Sequence, residues 1–195
     1  MSGGLDKDYW NERYRKGQTG WDIGYVSTPL KEYIDQLTDK SLRILIPGGG
    51  NSHEAVYLLQ QGFTNVTVVD ISSEIIQNLQ KKYAGQGLKA VCDDFFRHSG
   101  QYDLILEQTF FCALDPSLRS SYVRKMKELL TSTGKLAGLL FDRAFVGGPP
   151  FGGNVKEYES VFKEAFVLKT MDAAYNSIPP RQGSEVFFIA SPRQS

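Results

Sequence analysis

The sequence lacks an excess of charge of either sign, which argues against a nucleic-acid binder. Lys and Arg together number 22, as do Asp and Glu, so the formal net charge at pH 7 is zero. Proteins that bind DNA or RNA usually carry a basic surplus or a dense basic block. Neither is visible here, and the Lys81–Lys82 pair suits the solvated face of a helix. We therefore expect no nucleic-acid partner.

Long hydrophobic runs are also missing. No stretch approaches the roughly 18 to 20 apolar residues that span a bilayer. The first ten residues, MSGGLDKDYW, lack the basic-then-apolar layout of a secretory signal. A hydrophobic content of 41% in 195 residues is enough for the core of one domain. We therefore expect a single cytoplasmic domain over residues 1–195 without a membrane partner. Since no coiled-coil or large interface pattern stands out, we expect this domain to be monomeric.

Cysteine and histidine are scarce, with two of each. Cys92 and Cys112 fall in strand-like patterns, which favours reduced, packed thiols, although a disulfide between them stays open. No Cys/His cluster has metal-ligand spacing, so we expect no metal. No Ser-His-Asp or Cys-His arrangement is evident either. His53 is expected to cap a helix start or to line a ligand, and His98 to lie in a surface loop.

Apolar runs rich in β-branched and aromatic residues alternate with helical patterns. Five such runs precede residue 142, and several of them are apolar almost throughout, which suits strands of a parallel sheet that is covered on both faces. The five runs occupy residues 43–47, 66–71, 88–93, 102–107 and 135–141. Helical periodicity predicts helices over 52–61, from Ser72 or Ser73 onward, and after residue 117. This alternation is typical of a doubly wound α/β sheet.

The C-terminal third follows a different order. A helix is predicted over 155–164, and two further strands, at 166–175 and 185–191, have no helix between them. Such strands are expected to pair antiparallel, because a parallel return needs a longer crossover. The predicted fold is therefore a Rossmann-like, mostly parallel sheet of seven strands with helices on both faces and an antiparallel C-terminal strand. Residues 1–40, rich in Trp and Tyr, are predicted to form a helical N-terminal cap.

A glycine-rich turn, IPGGGNSHE, joins the first strand to the first helix of the sheet. The helix amides and dipole that follow such a turn face the ligand crevice. Asp70 ends the next strand 20 residues after Gly50, where a carboxylate can accept hydrogen bonds from ribose hydroxyls. The dinucleotide fingerprint requires a third glycine where His53 stands. The sequence thus favours a ligand with ribose and adenine but without a pyrophosphate, and an NAD-type oxidoreductase is the alternative.

Polar residues also follow the third and fourth strands. A carboxylate of the VCDDFF segment could bind an adenine amino group, with Phe95 against the ring, or the segment could simply form a solvated acidic turn. Glu107, Gln108 and Thr109 end the fourth strand. Ligands bind at this carboxyl edge in open α/β sheets, so these residues are candidates for the same site.

The order of these signals resembles class I S-adenosylmethionine-dependent methyltransferases. Three segments are more narrowly similar to the thiopurine methyltransferase family and its plant-type halide and thiol methyltransferase relatives. They are WNERYRKGQTGWDIGYVSTPL at residues 10–30, YDLILEQTFFCALDPSLR at 102–119 and GGPPF at 147–151. The resemblance extends over nearly the whole chain. Two positions depart from the family pattern: Glu107 replaces the usual Asp, and Gln108 replaces a Tyr or Arg.

The resemblance implies a set of site residues. Those implied for the cofactor are Trp10, Tyr14, Thr19, Trp21, Gly48, Gly50, Asp70, Asp94, Phe95 and Gln108. Those implied for the substrate are Trp21, Phe110, Arg119, Pro149 and Phe151. Within this set, the glycines would contact the methionine end of the cofactor, Asp70 the ribose, and Asp94 with Phe95 the adenine. No residue is assigned a certain catalytic role, and Arg119 is the one candidate.

The implied activity is transfer of a methyl group from S-adenosyl-L-methionine to a small soft nucleophile, namely a thiol, a thiopurine-like heterocycle or a halide. The product would be S-adenosyl-L-homocysteine. Aromatic faces attract cations, so the Trp and Tyr residues of the cap suit a sulfonium. Alignment and exclusion of water could supply much of the rate. A non-catalytic adenosyl-ligand sensor is a further alternative, but its cap would be eroded, whereas the segment from Trp10 to Trp21 is intact.

Overall fold

Seven strands form one sheet in the computed structural model, which describes residues 4–194. The strands are β1 (Ile44–Pro47), β2 (Val66–Asp70), β3 (Leu88–Cys92), β4 (Tyr102–Gln108), β5 (Leu130–Phe141), β6 (Phe166–Ala173) and β7 (Glu185–Pro192). Their order is β3-β2-β1-β4-β5-β7-β6, and β7 runs antiparallel to both of its neighbours. The Rossmann-like sheet with an antiparallel C-terminal strand is confirmed. Residues 1–3 of the predicted cap and residue 195 lie outside the described part of the chain.

Within residues 4–194, six α-helices pack around this sheet: α1 (Lys7–Arg15), α2 (Thr28–Asp35), α3 (His53–Gln60), α4 (Ser73–Tyr83), α5 (Arg119–Leu129) and α6 (Val155–Phe162). Alternate residues of the central strands face two separate cores. Leu45 lies in the core that contains Tyr122 of α5 and Phe162 of α6. Ile44 lies in the core formed with α2, α3 and α4. Both faces of the sheet are therefore covered, which explains why β1 and β2 are buried throughout.

Helix and strand boundaries match the sequence prediction with one clear shift. Ser72 caps α4 as predicted, with its Oγ accepting the Ile75 N–H. Strand β5 begins at Leu130, five residues before the predicted start at residue 135. Leu130 pairs with Tyr102 of β4, where the register of the two strands shifts. Leu129 and Leu130, the apolar pair at the end of the predicted helix, are therefore divided between α5 and β5.

The N-terminal region consists of two helices with different environments. Asn11 of α1 is buried, and its Oδ1 accepts a hydrogen bond from the Ser72 hydroxyl at 2.8 Å, at the start of α4. Leu30 and Ile34 of α2 are fully buried in the core. Only α1 and the loop that follows it therefore lie over the carboxyl edge as a cap, whereas α2 is part of the packed domain. None of the helices in residues 4–194 combines the length and apolarity needed to cross a bilayer.

Candidate active site

The glycine turn after β1 contacts two aromatic side chains from other parts of the chain. Gly48 and Gly50 have φ values of 57° and 52°, a left-handed conformation that glycine adopts without a steric penalty. A Cβ atom on Gly48 would lie 2.1 Å from the Phe110 ring, and one on Gly50 would lie 2.7 Å from the Tyr14 hydroxyl. The turn, the cap and the end of β4 thus meet at one place.

Asp70 stabilises this turn directly. Its Oδ2 accepts the Gly50 N–H at 3.0 Å, and its Oδ1 accepts the Ser72 N–H at 2.8 Å. The side chain is buried, and burial raises the pKa of Asp70 above its ordinary value. Each carboxylate oxygen can accept more than one hydrogen bond, so this carboxylate can still accept from ribose hydroxyls. The ribose role stays a prediction, and the stabilisation of the turn is a second role that sequence reasoning missed.

Glu107 has the corresponding position at the end of β4. It is 0% exposed, and its Oε1 accepts the backbone N–H groups of Phe110 and Phe111 at 2.8 and 2.9 Å. Its Oε2 accepts the Tyr122 hydroxyl at 2.6 Å. Burial raises the pKa of Glu107 to about 7, although these hydrogen bonds oppose the shift. The buried carboxyl group therefore fixes the turn that places Phe110 against Gly48.

A cleft opens at the carboxyl edge, between the cap loop and the glycine turn. Its lining residues are Trp21, Asp22, Ile23, Tyr25, Ile46, Gly48, Gly49, Gly50, Asn51, Ser52, His53, Glu54, Gln108 and Thr109. Gln108 and Thr109, predicted at this edge, therefore lie beside the glycines. Thr109 has a φ of 58°, which is uncommon for a β-branched residue and marks a strained turn after β4.

Asp22 and His53 form a close pair in this cleft. The distance between Asp22 Oδ1 and His53 Nε2 is 2.7 Å. Asp22 also accepts hydrogen bonds from the Asn51 amide and from the Gly24 N–H. Burial opposes the shift, yet these hydrogen bonds and His53 lower the pKa of Asp22. Sequence reasoning missed Asp22, although it lies within the TGWD segment. His53 lines the cleft, but Ser52, not His53, is the N-cap residue of α3.

The aromatic cap is closely packed. The rings of Trp10 and Tyr14, one helical turn apart on α1, meet the Trp21 ring edge to face at 5.5 and 5.7 Å. The Arg13 guanidinium lies 5.6 Å from the Trp21 ring, so this ring already attracts a cation of the protein. The Thr19 carbonyl accepts the Asp22 N–H at 2.8 Å in the turn that precedes Trp21. Contact between these residues and a cofactor stays a prediction.

The segment after β3 places one predicted residue in the core. Phe95 is buried and packs against Phe96, Phe110 and Tyr122, with ring centroids 5.1 to 5.8 Å apart. Asp94 is half-buried, and its Oδ1 accepts the Phe96 N–H at 2.9 Å. Phe95 thus packs in the core against the ring of Phe110. The adenine contacts implied for Asp94 and Phe95 stay predictions.

Pro149 and Phe151 lie on the loop after β5, which docks onto the turn after β4 and onto Arg119 at the start of α5. Arg119, 5% exposed, pairs with Glu157 and donates to the Gly152 carbonyl at 2.7 Å. Phe151 donates its N–H to the Cys112 carbonyl at 2.6 Å, and Pro149 is half-buried nearby in sequence. In this structure the Arg119 guanidinium therefore stabilises the loop after β5. Substrate contact by Phe110, Arg119, Pro149 and Phe151 stays a prediction.

Three minor expectations are wrong. His98 is buried, with its Nε2 at 2.8 Å from the Tyr102 hydroxyl, because the loop after β3 folds back onto β4. Cys92 is exposed at the end of the edge strand β3, so it is not a packed thiol. Cys112 is packed as expected but lies in a 3-10 turn, Phe111–Ala113, and not in a strand. Both thiols are free, and burial raises the pKa of Cys112 to about 12.

The cleft has polar groups that suit S-adenosylmethionine. Within residues 4–194, the buried Ser52 Oγ has no hydrogen-bond partner, and neither has the buried Arg13 Nε. Ser52 lines the cleft beside the glycines, and Arg13 packs on Trp21 at its rim. Unpaired buried polar atoms cost free energy, so a ligand that carries a carboxylate and hydroxyl groups would find partners here. The donor set therefore fits the cofactor that the resemblance implies.

Comparison with known proteins agrees with this geometry. The chain matches the thiopurine S-methyltransferase (TPMT) family over residues 5–188. It is 29% identical to probable thiol methyltransferase 2 of Arabidopsis thaliana, over 90% of this chain and 81% of that protein. It is 31% identical to thiocyanate methyltransferase 1 of Brassica oleracea, over 93% of this chain and 83% of that protein.

Solved structures show the same fold. The 1,6-didemethyltoxoflavin-N1-methyltransferase of Burkholderia thailandensis, crystallised with S-adenosylhomocysteine, superposes with a TM-score of 0.76 at 17% identity, covering 96% of this chain and 87% of that one. The magnesium protoporphyrin IX methyltransferase of Synechocystis PCC 6803, also with bound S-adenosylhomocysteine, gives a TM-score of 0.72 at 15% identity, covering 96% and 98%. The chain therefore belongs to the thiopurine S-methyltransferase family and is an S-adenosylmethionine-dependent methyltransferase.

Proposed function

We propose that the methyl acceptor is a small soft nucleophile of the thiol class, which includes thiopurine-like heterocycles. The observation that carries this proposal is the aromatic lining of the cleft, to which Trp21 and Tyr25 contribute beside the glycine turn, with the Phe110 ring packed against Gly48. Polarizable sulfur packs favourably against aromatic rings. The names of the Arabidopsis and Brassica relatives, a thiol and a thiocyanate methyltransferase, support the same acceptor class.

The residues of this chain would act by binding, orienting and excluding water. S-adenosylmethionine supplies a methyl group on a sulfonium, which is electrophilic. The glycine turn and Asp70 would bind the cofactor, and Tyr14 with Trp21 would cover it. When the acceptor is an anion, its reaction with a sulfonium cancels charge, so a dry cleft favours the transition state. Alignment of acceptor sulfur and methyl group would supply a further part of the rate.

A halide or pseudohalide is the second candidate acceptor. The thiocyanate methyltransferase relatives favour it, because their named acceptor is a small anion that needs no deprotonation. The same aromatic cleft would accommodate such an anion. A thiol and a halide differ in their need for deprotonation, since only the thiol has a proton to lose.

A labelled-methyl assay tests the proposal. The purified chain is incubated with S-adenosylmethionine and an alkyl thiol, an aromatic thiol, a thiopurine, iodide, thiocyanate or a metalloid acceptor. We expect the largest turnover with a thiol or thiopurine. The Trp21→Ala variant should lose most of this turnover, whereas Tyr175→Ala, at an exposed position remote in sequence from the cleft residues, should retain it. Turnover with none of the sulfur acceptors would contradict the proposal.

We also propose that the enzyme acts as a cytoplasmic monomer. The exposed free thiol of Cys92 supports a reducing compartment. Sedimentation velocity at several protein concentrations tests the oligomeric state, and a concentration-dependent shift to a dimer would contradict it.

A further inference from the structure

The pair formed by Asp22 and His53 has the arrangement of a carboxylate that orients an imidazole. The distance between Asp22 Oδ1 and His53 Nε2 is 2.7 Å, and both side chains retain solvent access, at 16% and 30% exposure. The two residues are 31 positions apart, one in the cap loop and one at the start of α3. Both line the cleft that contains the glycine turn and Gln108.

The hydrogen bonds of Asp22 indicate which ring nitrogen of His53 carries a proton. Asn51 and Gly24 already donate to this carboxylate, and an ionised carboxylate can only accept, so the contact of its Oδ1 with His53 places a ring proton on Nε2. The other ring nitrogen, Nδ1, then has a free lone pair. Glu54 and Tyr25 are the other titratable groups of the cleft lining. Glu54 is buried and accepts the Ser27 N–H, so it faces the cap loop and not the solvent. This burial raises the pKa of Glu54.

We propose that His53, oriented by Asp22, is the general base that deprotonates a thiol acceptor, an inference that rests on the proposed function. The acceptor S–H proton moves to His53 Nδ1, and the sulfur electron pair forms the new S–CH₃ bond. The bond between that methyl group and the sulfonium breaks, and its electrons remain on the thioether sulfur of S-adenosylhomocysteine. The proton then leaves His53 to solvent. His53 is thus a catalytic residue, and Asp22 is a positioning residue.

The need for a base depends on the pKa of the acceptor. An alkyl thiol with a pKa of about 8.5 is roughly 3% ionised at pH 7. An enzyme that reacts only with the thiolate form is therefore about 30-fold below its maximal rate at this pH. An electron-poor aromatic thiol such as 4-nitrothiophenol is fully ionised at pH 7 and needs no base. Comparison of these two acceptors therefore separates proton removal from methyl transfer at the same kind of atom.

The test compares wild type with His53→Gln, in which the Gln amide can still donate to Asp22. With N-acetylcysteamine at pH 7, we expect kcat/KM of the variant to fall by roughly 30-fold or more, and to recover as pH rises above the thiol pKa. With 4-nitrothiophenol, both proteins should turn over within about 3-fold of each other. The affinity for S-adenosylhomocysteine, measured by calorimetry, should be unchanged. The matched histidine control is His98→Gln, which keeps a partner for Tyr102 and should behave as wild type.

The positioning role of Asp22 has its own readout. In Asp22→Asn the His53 ring loses the carboxylate that orients it, so kcat/KM with N-acetylcysteamine should fall at pH 7 and recover as pH rises above the thiol pKa. The pH profile with 4-nitrothiophenol should keep its shape. A purely structural role would lower both profiles at every pH.

Each outcome decides the matter. Equal losses of His53→Gln with both thiols, a matching loss of affinity for S-adenosylhomocysteine, or no loss with the alkyl thiol would overturn the assignment. If the wild-type enzyme methylates the aromatic thiol but not the alkyl thiol, the assignment of His53 as a base is also overturned, because no base then acts. The proposed function would stand in that case. Turnover of neither thiol by the wild type would overturn the proposed function and this inference together.

Discussion

Two buried carboxyl groups, Asp70 and Glu107, stabilise the backbone turns that surround the candidate active site. Asp70 accepts the N–H groups of Gly50 and Ser72, and Glu107 accepts those of Phe110 and Phe111. Glu107 satisfies donors of the turn that follows its own strand, whereas Asp70 satisfies one donor after β2 and one in the glycine turn after β1, and these donors would otherwise be buried without partners. Asp70, which the resemblance implies as a cofactor contact, and Glu107 thus also determine the conformation of the backbone turns beside them.

Replacement of Asp70 by Ala should weaken cofactor binding by roughly 10- to 100-fold, because a charged acceptor worth about 1.5–3 kcal/mol is lost together with its hold on the turn. Isothermal calorimetry with S-adenosylhomocysteine measures the effect. Asp103→Ala is the matched control, since Asp103 pairs with Arg43 at the opposite end of the sheet. Wild-type affinity in a folded Asp70→Ala protein would rule out the ribose assignment.

The raised pKa of Glu107 predicts a specific pH dependence of stability. Burial raises this pKa from 4.5 to about 7, so the folded protein holds a proton that the unfolded chain has released between these values. The free energy of unfolding should therefore fall as pH rises from 4.5 to 7, by up to about 3 kcal/mol from this group.

Glu107→Gln isolates that contribution, because Gln has no proton to lose and its carbonyl can still accept from the backbone. Urea unfolding of both proteins between pH 4.5 and 8 gives the difference curve. Wild type should lose stability relative to the variant with rising pH and reach a plateau above pH 7. A flat difference curve would show that Glu107 titrates at its ordinary value.

At the level of elements, the cap is attached to the domain by the start of α4. Asn11 on α1 accepts from the Ser72 hydroxyl, and Arg15 pairs with Glu74 at 2.8 Å. The cap loop is attached separately, because Arg181 donates to the Trp21 carbonyl at 2.7 Å. Helix α1 thus depends on a few polar contacts with α4, whereas α2 is stabilised by burial of Leu30 and Ile34.

Replacement of Asn11 by Ala should release α1 without unfolding the domain. The buried Ser72 hydroxyl would still accept the Ile75 N–H but would lose the acceptor of its own proton, a cost of about 1–3 kcal/mol. Hydrogen exchange should accelerate by about 5- to 100-fold across residues 7–15, while the strands keep their protection. Glu12→Ala, on the exposed face of the same helix, is the control and should change little. Equal acceleration in β1 and β4 would indicate global destabilisation instead.

At the scale of the whole molecule, cofactor binding should stabilise the folded chain. At a ligand concentration of 100 times Kd, the free energy of unfolding rises by about 2.7 kcal/mol. For a domain of this size that corresponds to a rise in Tm of roughly 5–10 °C. Differential scanning fluorimetry with S-adenosylhomocysteine measures this shift. NADH at the same concentration is the control, and a larger shift with NADH would contradict the assigned cofactor.

The alternation of strands and helices, the antiparallel C-terminal pair and the glycine turn could all be predicted from the sequence. These features depend on local signals: apolar runs such as VTVVD, the Ser72 cap, and glycines where the backbone must turn. The predicted start of β5 is five residues too late, since the pairing of Leu130 with Tyr102 is a long-range contact that periodicity does not contain.

The sequence by itself also determined the family and predicted where the candidate site lies, because both follow from the order of motifs along the chain. Only the tertiary structure paired Asp22 with His53, buried His98 beside Tyr102, and directed Arg119 to Glu157. These pairs join side chains from separate segments, and their partners depend on how loops pack over the sheet edge. Local propensity sets which elements form, whereas packing between elements sets which charged and polar groups meet.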